Sequence, residues 1–172
     1  MLEIEIKTRS QDNLRVERAL LEKGAALLGE NDQVDEYFNH PSRDFAVTDE
    51  ALRLRKDSSG KITYKGPKID RSTKTREEIE LEIDDLDKMA QILIRLGFRR
   101  VAKVGKRRKE YLLDGITVSL DSVEGLGDFV ELEVQGDDAE AGRVRIERLR
   151  DELGLVGSER RSYLEMLLST TK

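Results

Sequence analysis

Cysteine and tryptophan are absent from this 172-residue chain, and proline (2), histidine (1), tyrosine (4) and phenylalanine (4) are scarce. Without cysteine there is no disulfide framework and no thiolate metal site, which fits a reducing compartment. One histidine excludes a His-rich zinc centre and leaves no Ser–His–acid set to propose; His40 itself reads as a loop or structural residue. No apolar run approaches the roughly 20 residues that cross a bilayer, and no signal peptide is visible. The expectation is a soluble, cytoplasmic protein with no membrane partner. A basic field is missing too: 36 acidic residues outnumber 31 basic ones, for a net charge of −5, so no nucleic-acid partner is expected. A Gly-rich phosphate loop is also lacking. Gly66-Pro67-Lys68 has the wrong spacing, and Gly125-Leu126-Gly127-Asp128 reads as a turn.

What the chain has in excess is charge of both signs, 39% of residues against a usual quarter. The apolar 37% is periodic rather than sparse, which marks a folded chain. At this length one domain over 1–172, with a real core, is expected. The opening strand sets the pattern: Leu2, Ile4 and Ile6 fall on one face and Glu3, Glu5 and Lys7 on the other. The pattern returns four times. Leu52 and Leu54 alternate with Arg53 and Arg55; Ile62 and Tyr64 with Lys61, Thr63 and Lys65; Ile79, Leu81 and Ile83 with Arg76, Glu78, Glu80 and Glu82; Val130, Leu132 and Val134 with Glu131, Glu133 and Gln135.

Strands are expected over about 2–8, 33–39, 50–57, 61–66, 76–83, 99–110, 115–121 and 128–135. Helices are expected near 10–23 (capped by Ser10 or Asp12), from Asp84 or Asp85 to Leu96, and near 138–153 and 159–168. The loop with Pro41 and Asp44, and the polar stretch 68–75, read as connections, the second a flexible one. Short turns between successive strands imply antiparallel pairing, and eight strands suffice to close a barrel. The fold class expected is α+β: a closed eight-stranded antiparallel barrel with a charged lumen, its apolar outer face packed by about four helices.

For any single strand, a charged face is most simply a solvated surface, but such faces normally mix in Ser, Thr, Asn and Gln. Five strands with one signature favour a lined channel. Glu3, Glu5, Glu78, Glu80, Asp121, Glu131 and Glu133 offer hard oxygen ligands for Mg²⁺ or Mn²⁺. Lys7, Arg53, Arg55, Lys65, Arg76, Lys106 and Arg108 offer the donors that clamp phosphate oxygens. Buried charges of one sign would be prohibitive; interleaved, they pair when the channel is empty and hold a metal–polyphosphate when it is full. The basic segment 103–109 resembles a nucleic-acid patch, but it lacks interleaved aromatics, and Tyr37, Phe38 and Tyr111 read as packing residues. The inward facing of Lys106 and Arg108 is inferred there, since alternation is less clean.

These motifs together resemble the CYTH domain, the triphosphate tunnel metalloenzymes. The signature Glu3-x-Glu5-x-Lys7 is followed in order by Leu52-Arg53-Leu54-Arg55, Tyr64-Lys65-Gly66-Pro67, Arg76-Glu77-Glu78 and Lys106-x-Arg108-x-x-Tyr111. Val118-Ser119-Leu120-Asp121, Gly125-Leu126-Gly127-Asp128-Phe129-Val130-Glu131-Leu132-Glu133 and Arg161-Ser162-Tyr163 complete it. Within the family the chain most resembles class IV adenylyl cyclases and their archaeal relatives. The resemblance implies an eight-stranded tunnel, dependence on Mg²⁺ or Mn²⁺, and a small-molecule triphosphate substrate such as ATP or tripolyphosphate. Glu3, Glu5, Asp121, Glu131 and Glu133 would hold metal; Lys7, Arg53, Arg55, Lys65, Arg76, Lys106, Arg108 and Arg161 would grip phosphate; Glu5, Lys65, Arg76 and Glu131 would serve at the reacting centre. The reaction stays open between cyclisation of ATP and hydrolysis of an inorganic or organic triphosphate. Thiamine triphosphate fits less well, because that branch uses a tryptophan that this chain lacks. A non-catalytic polyphosphate- or nucleotide-binding module, in a monomer or homodimer, is the rival, and an open charged sheet serving a protein partner is a third reading.

Overall fold

In the computed structural model, which describes residues 2–69, 73 and 75–170, the strands are β1 Leu2–Arg9, β2 Ala26–Asn39, β3 Ala51–Lys56, β4 Gly60–Lys65, β5 Arg76–Glu82, β6 Arg99–Leu113, β7 Ile116–Val123 and β8 Gly127–Gly136. The helices are α1 Asn13–Glu22, α2 Phe45–Thr48, α3 Leu86–Arg95, α4 Ala139–Glu152 and α5 Tyr163–Thr170. The strands close into a barrel in the order β1-β5-β4-β3-β2-β6-β7-β8, every pairing antiparallel. The seam is narrow. β1 meets β5 only at Leu2↔Glu77 and Glu3↔Arg76, whereas it pairs along its whole length with β8, from Leu2↔Gly136 to Arg9↔Phe129.

Period-two alternation sends the apolar set outward, where helices cover it. Against α1 and α4 pack Ile4, Ile6, Val118, Leu120, Leu132 and Val134, meeting Val16, Leu20, Ile146, Leu149 and Leu153. Gly142 lets α4 lie close: a Cβ there would stand 2.7 Å from Ile4 Cδ1. Ala90 and Leu93 of α3 cover Phe38, Leu52 and Leu54, whereas Tyr163 and Met166 of α5 pack on Val104, Val123 and Phe129, which share the inward face of their strands with Lys106, Asp121 and Glu131. Each such side chain contributes roughly 1.5–3 kcal/mol on burial. Aspartates start the helices by accepting orphan N–H groups: Asp12 from Leu14 and Arg15, Asp85 from Lys88, Asp138 from Ala141. Asp114 and Gly115, both at positive φ (50° and 75°), make the tight β6–β7 turn.

Three features depart from the sequence expectation. β2 begins at Ala26, not near residue 33, because its first part pairs only with β6, and Leu27 and Leu28 both stay exposed, leaving no apolar period. A fifth helix, α2, occupies the loop after Pro41, capped by Asp44. The outward Ile79 and Leu81 of β5 remain 54% and 64% exposed, since α3 packs over β3 and β6 instead. The stretch 68–75 lies partly outside the described residues. Among the described residues no helix is long and apolar enough to cross a membrane.

Candidate functional site

The inward halves of the alternating strands meet around a cavity of about 490 Å³ inside the barrel. Register sorts its charges by wall. The contiguous strands β8, β1 and β5 contribute Glu131, Glu133, Glu3, Glu5, Glu78 and Glu80. Across the lumen, β3 and β6 contribute Arg53, Arg55, Lys106 and Arg108, with β2 between them. A mainly acidic wall, broken by Lys7 and Arg76, thus faces a mainly basic one that also carries Glu110.

On the acidic wall, Glu5 stands opposite Glu133 in the β1–β8 ladder, and one carboxylate oxygen each from Glu3, Glu5 and Glu133 lie within 4.8 Å of one another. Crowding of this kind disfavours charge. Burial, then neighbouring carboxylates led by Glu5, push Glu133 up to about 7. Burial likewise pushes Glu3 up to about 10 against the pull of Lys65. Lys65 contacts Glu78 and stands 3.7 Å from Glu3; burial is the strongest single influence on Glu78 and would raise it, but Lys65, a hydrogen bond with Glu3 and Arg53 together hold its carboxyl below the usual range.

On the basic wall, Arg55 donates from Nε and Nη2 to the two oxygens of Asp35 at 2.7 and 2.8 Å. Lys106 Nζ lies 3.4 Å from Asp35 and Arg53 Nη1 3.9 Å from it. Burial alone would raise Asp35, but these cations hold it far below the carboxylate range. Lys106 is pushed down to about 7, by burial and then by repulsion from Arg108 and Arg55. Between the walls, Arg108 bridges Asp121 and Glu131. Lys7 reaches Glu131 at 3.6 Å, sits 3.9 Å over the Tyr163 ring, and donates to the Arg161 carbonyl at 3.1 Å.

A lumen with carboxylate oxygens on one side and guanidinium and ammonium donors on the other offers the chemistry that can hold a polyanion together with a divalent cation. The model of the CYTH domain matches residues 1–165. The chain belongs to the CYTH family. It is 42% identical, over 172 aligned residues, to a Methanocaldococcus jannaschii protein provisionally named an adenylate cyclase (MJ0240), covering 96% of this chain and 98% of that one. It is 34% identical over 145 residues to adenylate cyclase CyaB of Aeromonas hydrophila, covering 80% and 73%. The solved structure of PH1819 from Pyrococcus horikoshii superposes with a TM-score of 0.91 at 41% identity, covering 98% and 99%.

In this CYTH barrel Glu3, Glu5, Lys7, Arg53, Arg55, Lys65, Arg76, Lys106, Arg108, Glu131 and Glu133 all line the lumen. Two expected residues are placed otherwise. Asp121 is wholly buried away from the Glu3–Glu5–Glu133 group, because its register sets it opposite Arg108, and Tyr163 Oη donates to it at 2.6 Å. Arg161 turns its guanidinium outward to Glu159, at 3.0 and 2.9 Å, and offers the lumen only its carbonyl. Glu131 lies outside the three-carboxylate group, engaged by Arg108 and Lys7. Asp35 and Tyr163 are site residues that the sequence reading missed. Asp35 carried a signal, since Gln33, Asp35 and Tyr37 alternate with Val34, Glu36 and Phe38; Tyr163 carried none beyond its motif. The outward cations of 103–109 are neutralised: Arg107 pairs with Glu30 and Asp32, Lys109 with Glu17, and Lys103 with Glu36.

Proposed function

We propose that the protein binds a nucleoside triphosphate with a divalent cation across the lumen and, as an adenylyl cyclase, converts ATP to cyclic AMP and pyrophosphate. The observation that carries the triphosphate reading is the acidic wall of Glu3, Glu5 and Glu133 facing the basic wall of Arg53, Arg55, Lys106 and Arg108. The cyclase reading draws its support from the two relatives bearing that name. The all-oxygen donor set of Glu3, Glu5 and Glu133 fits Mg²⁺ or Mn²⁺, and burial makes three ionised carboxylates there unfavourable without a cation. A bound ion would neutralise charge and polarise phosphate oxygens.

The chain's own part is positioning and charge neutralisation, as phosphoryl transfer requires. Arg53, Arg55, Lys106 and Arg108 bind the phosphate oxygens, and Lys7 and Arg76 close the grip from the β1–β5 side. Lys65, poised between Glu3 and Glu78, can turn to a phosphate oxygen when the acidic wall is occupied. In cyclisation the ribose 3′-hydroxyl attacks the α-phosphorus, its proton is released, and pyrophosphate leaves. A second reading, triphosphate hydrolysis, is favoured by the lumen itself: its charged groups account for a triphosphate without any nucleoside. There, water attacks the terminal phosphorus and orthophosphate leaves.

Incubating the protein with ATP and, separately, with tripolyphosphate, in Mg²⁺ or Mn²⁺, separates the readings. Cyclic AMP with pyrophosphate supports the cyclase, and orthophosphate the hydrolase. Tight binding without turnover under either ion would overturn both in favour of a binding module.

A further inference from the structure

We infer that Asp35 is a positioning residue of the basic wall, fixing Arg55, Arg53 and Lys106 as one anion-binding face. The inference rests on the triphosphate reading of the lumen but goes beyond it, to a carboxylate that belongs to neither the acidic wall nor the phosphate grip. β2 runs between β3 and β6 in the ring, so an inward acid on it faces cations from both sides. Asp35 is 1% exposed and devotes both oxygens to them. Arg55 is aimed by two bonds of 2.7 and 2.8 Å, Lys106 Nζ sits at 3.4 Å, and Arg53 Nη1 at 3.9 Å.

The bland reading makes Asp35 simple glue that relieves repulsion among three buried cations. The two readings part over what its loss does to ligand affinity. A purely Coulombic wall should bind anions more tightly once a negative charge is removed. The geometry points the other way. Lys106 faces Asp35 on β2, Arg55 on β3, Arg108 on its own strand, Asp121 on β7 and the Tyr163 ring 5.2 Å away on α5. Removing Asp35 takes away one of the two carboxylates that sustain its charge, while Arg55 and Arg108 continue to oppose it. Lys106 is already partly deprotonated near neutral pH, so the wall would lose a fraction of a proton along with the carboxylate. That loss offsets part of the gain in net charge, while the ammonium donor is weakened and Arg55 loses one of its two aiming bonds.

Titration calorimetry with inorganic tripolyphosphate decides this, on the wild type, Asp35→Asn and Asp35→Glu, from about pH 5.5 to about pH 8 at fixed salt. The ligand's own titration is common to all three and cancels in affinity ratios. Asp35→Asn should bind roughly ten-fold more weakly near neutral pH, the gap narrowing as pH falls and Lys106 regains its proton. Asp35→Glu should recover part of the loss. Tighter binding by Asp35→Asn, or a deficit that does not vary with pH, overturns the inference. Should Asp35→Asn fail to fold, Asp35→Asn combined with Arg55→Gln removes both halves of the buried pair, and is compared with Arg55→Gln alone for the same narrowing. A wild type that does not bind tripolyphosphate would sink the triphosphate reading. The inference is then decided by the side-chain NMR titration of Lys106, supported if Asp35→Asn moves it to lower pH and overturned if it stays.

Discussion

Arg108 donates to both oxygens of Asp121, from Nε at 2.7 Å and Nη2 at 2.6 Å, and the same Nη2 meets Glu131 at 2.5 Å. With Tyr163 also bonded to it, Asp121 has its oxygens committed to aiming a guanidinium that we propose binds phosphate. Asp121→Asn keeps the volume and removes the charge. Catalytic efficiency should fall by roughly 10- to 150-fold, about 1.5–3 kcal/mol, as expected for a charge-assisted bond. The Mg²⁺ concentration giving half-maximal activity should stay unchanged. A large rise in that concentration would return Asp121 to the metal ligands.

The acidic wall predicts a stability that depends on pH and on divalent ions. Glu133 and Glu3 are raised, to about 7 and about 10, above the ordinary 4.5. A carboxyl raised in the folded state contributes stability that is fully present below its unfolded pKa and is lost as pH rises through the folded one. In EDTA the melting temperature should therefore drop between about pH 5 and about pH 8. Mg²⁺ should raise it, and more so at the upper end, by linkage to the native state. Thermal melts at the two pH values, with and without the ion, check both signs. An ion effect that does not grow with pH would dissociate the ion from these carboxylates.

Most of the barrel was legible because alternation is a local signal: each charged strand face could be read without knowing its neighbours. What that face does depends on register, which is not local. Glu133 and Asp121 are both inward acids on neighbouring strands, yet one falls opposite Glu5 and the other opposite Arg108. Asp35 was readable as inward from Gln33 and Tyr37, but only its place between β3 and β6 makes it the partner of three cations. Arg161 falls within the helix expected near 159–168, but α5 begins only at Tyr163, so Arg161 precedes it and its outward turn could not be anticipated. The uncovered Ile79 and Leu81 show the same limit, since alternation marks an outer face without saying whether a helix reaches it.

The β3–β4 hairpin that carries Arg53, Arg55 and Lys65 depends on one close approach. A Cβ on Gly60 would stand 2.4 Å from the Ile83 carbonyl oxygen and 2.8 Å from Leu86 Cγ, where Ile83 N already donates to Gly60 O at 2.8 Å. Backbone must move to admit it. Gly60→Ala should destabilise by about 1–3 kcal/mol, as overpacking does, lowering the melting temperature by several degrees. An unchanged melting curve would show that the β4–α3 junction yields without strain.

Arg55 and Lys56 are neighbours with equal formal charge and opposite facing: Arg55 is buried in the lumen wall at 9% exposure, while Lys56 is exposed. Arg55→Ala removes a proposed phosphate donor and strips Asp35 of the two bonds of 2.7 and 2.8 Å. Catalytic efficiency should fall by roughly 10- to 150-fold, and the melting temperature should fall with it, because a buried carboxylate loses its main partner. Lys56→Ala should change neither, since a solvated lysine contributes little. Salt sharpens the comparison. A long-range surface field would give both variants similar deficits that shrink as ionic strength rises. A lumen contact gives a deficit confined to Arg55→Ala and nearly independent of salt. Steady-state kinetics and thermal melts of the two variants at low and high salt measure all of this, and equal, screened losses would mean that the basic wall does not line a binding site.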